Sequence, residues 1–373
     1  MAGIYIHIPF CKSRCIYCGF YSTTLLHLCQ RYVDALCGEM KIRSGGNSAT
    51  SRVDTVYLGG GTPSQLSPSQ LRQLFASLYI LYKVSEDAEV TIEANPDDVT
   101  EEFATLLSLL PVNRVSMGVQ TFDDERLRFL HRRHNAGQVP IAVKRLRDAG
   151  IRNISIDLMY GFPGETPGDW QCDIDHALAL DVEHLSAYCL MYEEGTLLYE
   201  KKEKGQYQPV DEELERLMYE TLKDRLTAAG FEHYEISNFA RPGYRSRHNS
   251  SYWTDVPYIG LGAAAHSYDG RGRQWNVADI RQYIKGIESG QPCFEREESD
   301  ADTRYNDRVM LSLRTCEGLD LELLGEDERK YCVALAQQFI NGGLLESDGR
   351  HLRLTRQGLF VSDMVMSELM RVS

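Results

Sequence analysis

Residues 11–20 read Cys-Lys-Ser-Arg-Cys-Ile-Tyr-Cys-Gly-Phe, and the reading of this stretch places the rest of the chain. Cys11, Cys15 and Cys18 stand in a C-x3-C-x2-C spacing. The run before them, residues 3–10, alternates with period two and is rich in β-branched and aromatic side chains, which predicts a strand. Pro9 ends it, because proline has no N–H for a ladder. The thiols therefore leave the carboxyl end of a strand, where α/β proteins place their chemistry. Thiolates this close on one loop can serve one metal centre. A closed zinc site wants four ligands, yet Gly19 and Phe20 occupy the next positions. An iron–sulfur cube is normally held by four cysteines, and three would leave one iron open to a ligand that is not protein. A zinc knuckle with a distant ligand, or buried free thiols, are the alternatives.

The chain has 373 residues, 43% hydrophobic and 25% charged, which suits a large domain plus a smaller one with ample core. Its net charge of −14 opposes a general nucleic-acid surface. No apolar run approaches the roughly 20 residues of a membrane span. The first strand begins at once, and no signal segment is expected. Ten cysteines in a chain this long do not make a disulfide scaffold, and seven of them are scattered packing residues. A cytoplasmic location is expected.

A rhythm of strand, polar or glycine turn, then helix recurs. A helix over 25–43 is followed by an exit loop over 44–48. The strand at 53–58 runs into Gly59-Gly60-Gly61-Thr62-Pro63, where glycines let backbone approach a ligand closely. A tight turn alone is the alternative for that loop, and no lysine makes it a phosphate loop. Strands at 89–93, 114–119, 151–158 and 184–190 follow, with helices between them. Six such units predict a parallel sheet covered by helices, as a partial barrel with an open side. Glu93, Gln120, Arg132 and Asp157 lie at or beyond successive strand ends, where a shared pocket could take a polar ligand.

The cysteine spacing with its missing fourth thiolate resembles the radical S-adenosylmethionine superfamily, in which S-adenosylmethionine chelates the open iron. The order of motifs resembles one branch, the coproporphyrinogen dehydrogenase (HemN) and HemW group. The residues that carry it are 5–11 (Tyr-Ile-His-Ile-Pro-Phe-Cys), 59–63, 118–122 (Gly-Val-Gln-Thr-Phe) and 157–161 (Asp-Leu-Met-Tyr-Gly). The resemblance implies that Cys11, Cys15 and Cys18 hold a [4Fe-4S] cluster. It also implies that Tyr5, Tyr17, Gly60, Gly61, Thr62, Glu93, Gln120, Arg132 and Asp157 bind S-adenosyl-L-methionine, with Met191 a weaker match.

Two features divide the group. The dehydrogenase carries a further cysteine where this chain has Phe20, and a longer N-terminal arm. Residues 248–253, His-Asn-Ser-Ser-Tyr-Trp, resemble the H-N-x-x-Y-W element of the HemW haem chaperones. That resemblance implies a protein that binds haem, with His248 as its contact, and passes it to membrane haem proteins such as respiratory enzymes. Peripheral membrane association and a homodimer are compatible with it. A haem site needs an axial ligand, commonly histidine, and aromatic walls; Tyr252, Trp253 and Tyr258 are at hand. A hydrogen-bonded structural histidine is the alternative for His248, and His266 has no motif to support it. Oxygen-independent coproporphyrinogen III dehydrogenase activity, a radical enzyme of another substrate class, and a zinc-binding regulator are the rival functions.

The expected architecture is α/β. A partial (β/α)6 TIM-type barrel spans 1–200, a connecting segment carrying the haem-associated motif spans 201–300, and an α+β, winged-helix-like domain spans 301–373. Acidic residues outnumber basic ones in the last stretch, so docking or haem covering is expected of it, not DNA binding.

Overall fold

The structure is a computed structural model describing residues 2–45 and 52–371; the exit loop expected at 44–48 falls largely outside them. Six parallel strands form its centre: β1 (Ala2–Ile8), β2 (Val53–Gly60), β3 (Val84–Ala94), β4 (Arg114–Gln120), β5 (Asn153–Tyr160) and β6 (His184–Cys189). Each is followed by helix, as the alternation predicts. On β1 the side chains divide by parity. Ile4, Ile6 and Ile8 are fully buried in the core with Tyr32, Leu36 and Met40 of the helix Cys29–Ser44, while Tyr5 and His7 take the other face.

The covering helices begin where local chemistry starts them. Ser67 and Thr166 each close a capping box ahead of Pro68–Leu81 and Pro167–Ala179, with proline in the first turn. Trp170 is buried whole, and its indole N–H donates to the Met218 carbonyl at 2.9 Å. That bond pins Pro167–Ala179 to the next covering helix, Glu212–Ala228.

The sheet is larger than the six strands expected. Residues expected only to connect supply β7 (Glu232–Glu235), β8 (Asn238–Ala240), β9 (Tyr258–Leu261), β10 (His266–Tyr268), β11 (Gly272–Asn276) and β12 (Phe294–Glu298). The order is β12-β11-β10-β9-β1-β2-β3-β4-β5-β6-β8-β7. β9 runs parallel to β1, and the outer strands are antiparallel. Strands of three to five residues are too short for alternation to show in sequence. Glu39, 3% exposed, fastens this extension. Its carboxylate accepts from the Gly262 N–H (2.8 Å), the Asn276 amide (2.8 Å) and the Tyr283 hydroxyl (2.6 Å).

The C-terminal part has helices Ala301–Leu313 and Glu326–Asn341, a three-stranded antiparallel sheet, and its own core around Tyr305, Val309, Leu352 and Val365. Arg314 ties it to the larger sheet, 3.0 Å from the buried Glu235 carboxylate. Among the described residues no helix is long and apolar enough to cross a membrane.

Candidate functional site

At the carboxyl ends of the parallel strands lies a cavity of about 190 Å3. Cys11, Cys15 and Cys18 line it together with Tyr17, Gly60, Gly61, Thr62, Glu93, Gln120, Arg132 and Asp157. These residues come from four strand ends and two loops, and the parallel sheet is what gathers them. Tyr5 is the exception among the residues expected here. It lies on β1 facing a neighbouring cavity, and its hydroxyl is 2.9 Å from the His7 Nδ1. Met191 is 60% exposed and does not line the cavity.

The glycine loop is packed against the foot of the cysteine loop. Gly60 has φ +110°, and a Cβ there would strike the His7 ring. At Gly61 a Cβ would meet the Pro9 backbone at 2.8 Å. Glycine is thus required by a close approach of two loops, which a ligand-free tight turn would not demand.

Glu93 is held at the cavity wall. The Tyr57 hydroxyl donates to its Oε1 at 2.8 Å and the Gly60 N–H to its Oε2 at 3.1 Å. Burial pushes its carboxyl up to about 7, and burial likewise raises Asp157 to about 6. A cationic ligand group would reverse that trend by favouring the ionised carboxylates. Gln120 reaches the cavity through a bulge between Gly118 and Gln120 in the β4–β5 ladder and holds φ 71°. A non-glycine residue in that region is strained, and such strain gathers at functional sites.

Arg132 crosses the floor. One guanidinium nitrogen donates to the Asn95 Oδ1 at 2.7 Å and to the Gly118 carbonyl, and the other lies 3.6 Å from the Cys15 sulfur. Its buried Nε has no partner among the described residues. Burial raises Cys11, and raises Cys18 to about 11, so ligation there would release protons. No three His, Cys, Asp or Glu side chains among the described residues converge as a single-metal site would require. A four-iron cube places each thiolate at its own corner and does not ask for that convergence. Three neighbouring thiols, two half-buried carboxylates and an unpaired arginine nitrogen fit such a cluster with a polar zwitterionic ligand on its open side.

Asn95, Ser116 and Arg133 also line the cavity and were not singled out in the sequence. Ser116 had a signal, two residues before Gly118 on the same face of β4.

A second cavity of about 640 Å3 adjoins the first, and Phe20 lines both. Tyr21, Tyr252, Trp253, Tyr258 and Tyr268 supply much of its wall. His248, expected at a haem, is fully buried beside it instead. Its Nδ1 is 2.9 Å from the Thr55 hydroxyl and its Nε2 is 2.9 Å from the Tyr252 hydroxyl. With both nitrogens engaged, the ring's one lone pair already accepts a hydroxyl proton. Burial lowers its pKa to about 3, so it is neutral.

The chain matches the radical SAM superfamily over residues 5–177 and the HemN C-terminal domain over residues 300–361. Its fold is that of coproporphyrinogen III oxidase (HemN) from Escherichia coli, with a TM-score of 0.86 and 22% identity, over 99% of this chain and 89% of that one. Fold and cavity together define a radical SAM protein. Heme chaperone HemW of Bacillus subtilis is 36% identical over 98% of each chain. Heme chaperone HemW of Mycobacterium tuberculosis is 35% identical over 99% of this chain and 94% of its own. This chain belongs to the HemW family, whose superfamily implies a [4Fe-4S] cluster and S-adenosylmethionine.

Proposed function

We propose that this protein is a haem chaperone. It binds haem in the open part of the sheet and delivers it to membrane haem proteins such as those of respiration, working in the cytoplasm with at most peripheral membrane contact. Full-length similarity to relatives named heme chaperone HemW carries the reading. The aromatic cavity supports it, since about 640 Å3 lies within the roughly 300–1,000 Å3 of cofactor-sized sites.

Cys11, Cys15 and Cys18 would hold the cluster. When bound, the cluster supplies an electron and an open iron to the S-adenosylmethionine beside it. Glu93 is placed to take the amino group of that ligand, with the Gly60–Thr62 loop as its cradle. Asp157 and Gln120 are placed for hydroxyls, and Arg132 for a carboxylate. Tyr57 and the Gly60 N–H hold Glu93 in position before any ligand arrives, so little ordering remains to be done on binding.

The fold shared with HemN makes porphyrinogen decarboxylation the second reading. Cluster-reconstituted protein, kept anaerobic, separates the two. Saturable haem uptake without turnover of coproporphyrinogen III supports the chaperone. Turnover without haem uptake replaces it with the dehydrogenase.

A further inference from the structure

Resting on the chaperone reading, we infer that haem occupies the tyrosine-rich cavity with His266 as its axial ligand. Three histidines lie in or beside this cavity, and hydrogen bonding sorts them. His7 has its Nδ1 at 2.9 Å from the Tyr5 hydroxyl and its Nε2 at 2.9 Å from the Tyr21 carbonyl. His248 is engaged at both nitrogens by Thr55 and Tyr252. His266 lies on β10, is exposed, and has no hydrogen-bond partner at either ring nitrogen among the described residues. An iron needs an unshared imidazole nitrogen, and His266 alone of the three offers one.

Its surroundings suit a flat aromatic ligand. The imidazole stacks on the Trp275 indole, with centroids 5.8 Å apart and planes 24° from parallel. That contact limits its rotation. A further cavity of about 370 Å3 shares Ala264 and His266 with the tyrosine-rich one, so the ring stands between two open volumes. Across the larger cavity, Tyr252 and Tyr258 meet edge to face at 4.7 Å. The Trp253 indole N–H in this wall is buried and has no partner among the described residues. Arg273 brings a cation to the same wall, shared with Asp307 at 2.8 Å. The smaller cavity beside the cysteines, about 190 Å3, is too small for a tetrapyrrole.

On this assignment the H-N-x-x-Y-W segment shapes the site through Tyr252 and Trp253, and His248 positions Tyr252 through the bond between them. Full-length, cluster-reconstituted protein is titrated with ferric haem as parent, His266→Ala, His266→Met and His248→Gln. The expected result is saturable binding by the parent, and binding weakened on the order of tenfold or more in His266→Ala with a displaced Soret band. Added imidazole then restores the parent's spectrum, and His266→Met binds with a third spectrum. His266→Ala with the parent's affinity and spectrum overturns the assignment. So does a loss of the ligand signature confined to His248→Gln in protein that remains folded. A parent that takes up no haem removes the chaperone reading itself, a failure distinct from either.

Discussion

Lys12 places its ammonium 3.3 Å from the carboxylate of Asp98, a residue 86 positions further along the chain. The same carboxylate accepts from Ser64 at 2.9 Å, Gln65 at 2.7 Å and Arg133 at 2.8 Å. One side chain therefore joins the cysteine loop, the glycine loop and the segment after β4, the walls of the cofactor cavity. Replacing it takes their acceptor from Ser64 and Gln65, while Arg133 keeps Asp97 at 3.1 Å and the half-exposed Lys12 turns to solvent. Asp98→Ala is expected to cost about 2 kcal/mol of stability and to lower the iron retained per chain, with Asp98→Asn milder in both. Urea unfolding and iron analysis after anaerobic reconstitution check this; parent-like values would show that the three loops hold themselves.

Gly60 carries two constraints at once, its positive φ and its contact with the His7 ring. Gly60→Ala is expected to destabilise by about 2–3 kcal/mol and to weaken S-adenosylmethionine binding. Gly164→Ala, at φ +76° but with open space around its Cβ, should cost only about 1 kcal/mol. Thermal melts of the two variants side by side separate backbone strain from crowding.

The cysteine assignment predicts a division among ten thiols. Cys11→Ala, Cys15→Ala and Cys18→Ala should each abolish the charge-transfer absorption of the reconstituted cluster. Cys172→Ser should keep it, since Cys172, like Cys293 and Cys316, is exposed and away from the cavity instead of packing in the core as expected. Equal loss in all four would point to nonspecific iron.

Glu93 gives a pH dependence with a definite sign. Its folded pKa, about 7, lies above the ordinary 4.5, so the native state holds the proton more tightly than the unfolded chain does. Its stabilising contribution is full below the ordinary value and is lost as pH rises through about 7. Compared with the parent, Glu93→Gln should gain relative stability between about pH 5 and about pH 8. Ligand binding runs the other way. An amino cation needs the ionised carboxylate, so S-adenosylmethionine affinity in the parent should rise through the same range and stay flat in the variant. Denaturation and calorimetric titration over that range test both signs.

Most of the cofactor cavity was legible in the sequence because it is built locally. Each of the six parallel strands, at six residues or more, advertises itself by apolar runs, and its carboxyl end follows at once. That is how Glu93, Gln120 and Asp157 could be placed before any fold was known. The tyrosine-rich cavity was not legible, since it forms where β1, the segment around Tyr252 and strands as short as His266–Tyr268 meet. His248 shows the reason most clearly. Its partner Thr55 lies 193 residues earlier, and no local pattern states that both ring nitrogens are already engaged. Tyr5, which the family resemblance assigns to S-adenosylmethionine, lies on the predicted strand and lines the adjoining tyrosine-rich cavity.

If this protein hands haem on, the rate of transfer to an acceptor shows it. Haem-loaded protein is mixed under anaerobic conditions with membranes containing a haem-depleted respiratory enzyme, and the Soret band of each is followed. A chaperone predicts transfer whose rate rises with acceptor concentration and exceeds spontaneous release into buffer. A rate equal to spontaneous release, and unchanged by more acceptor, would contradict the account.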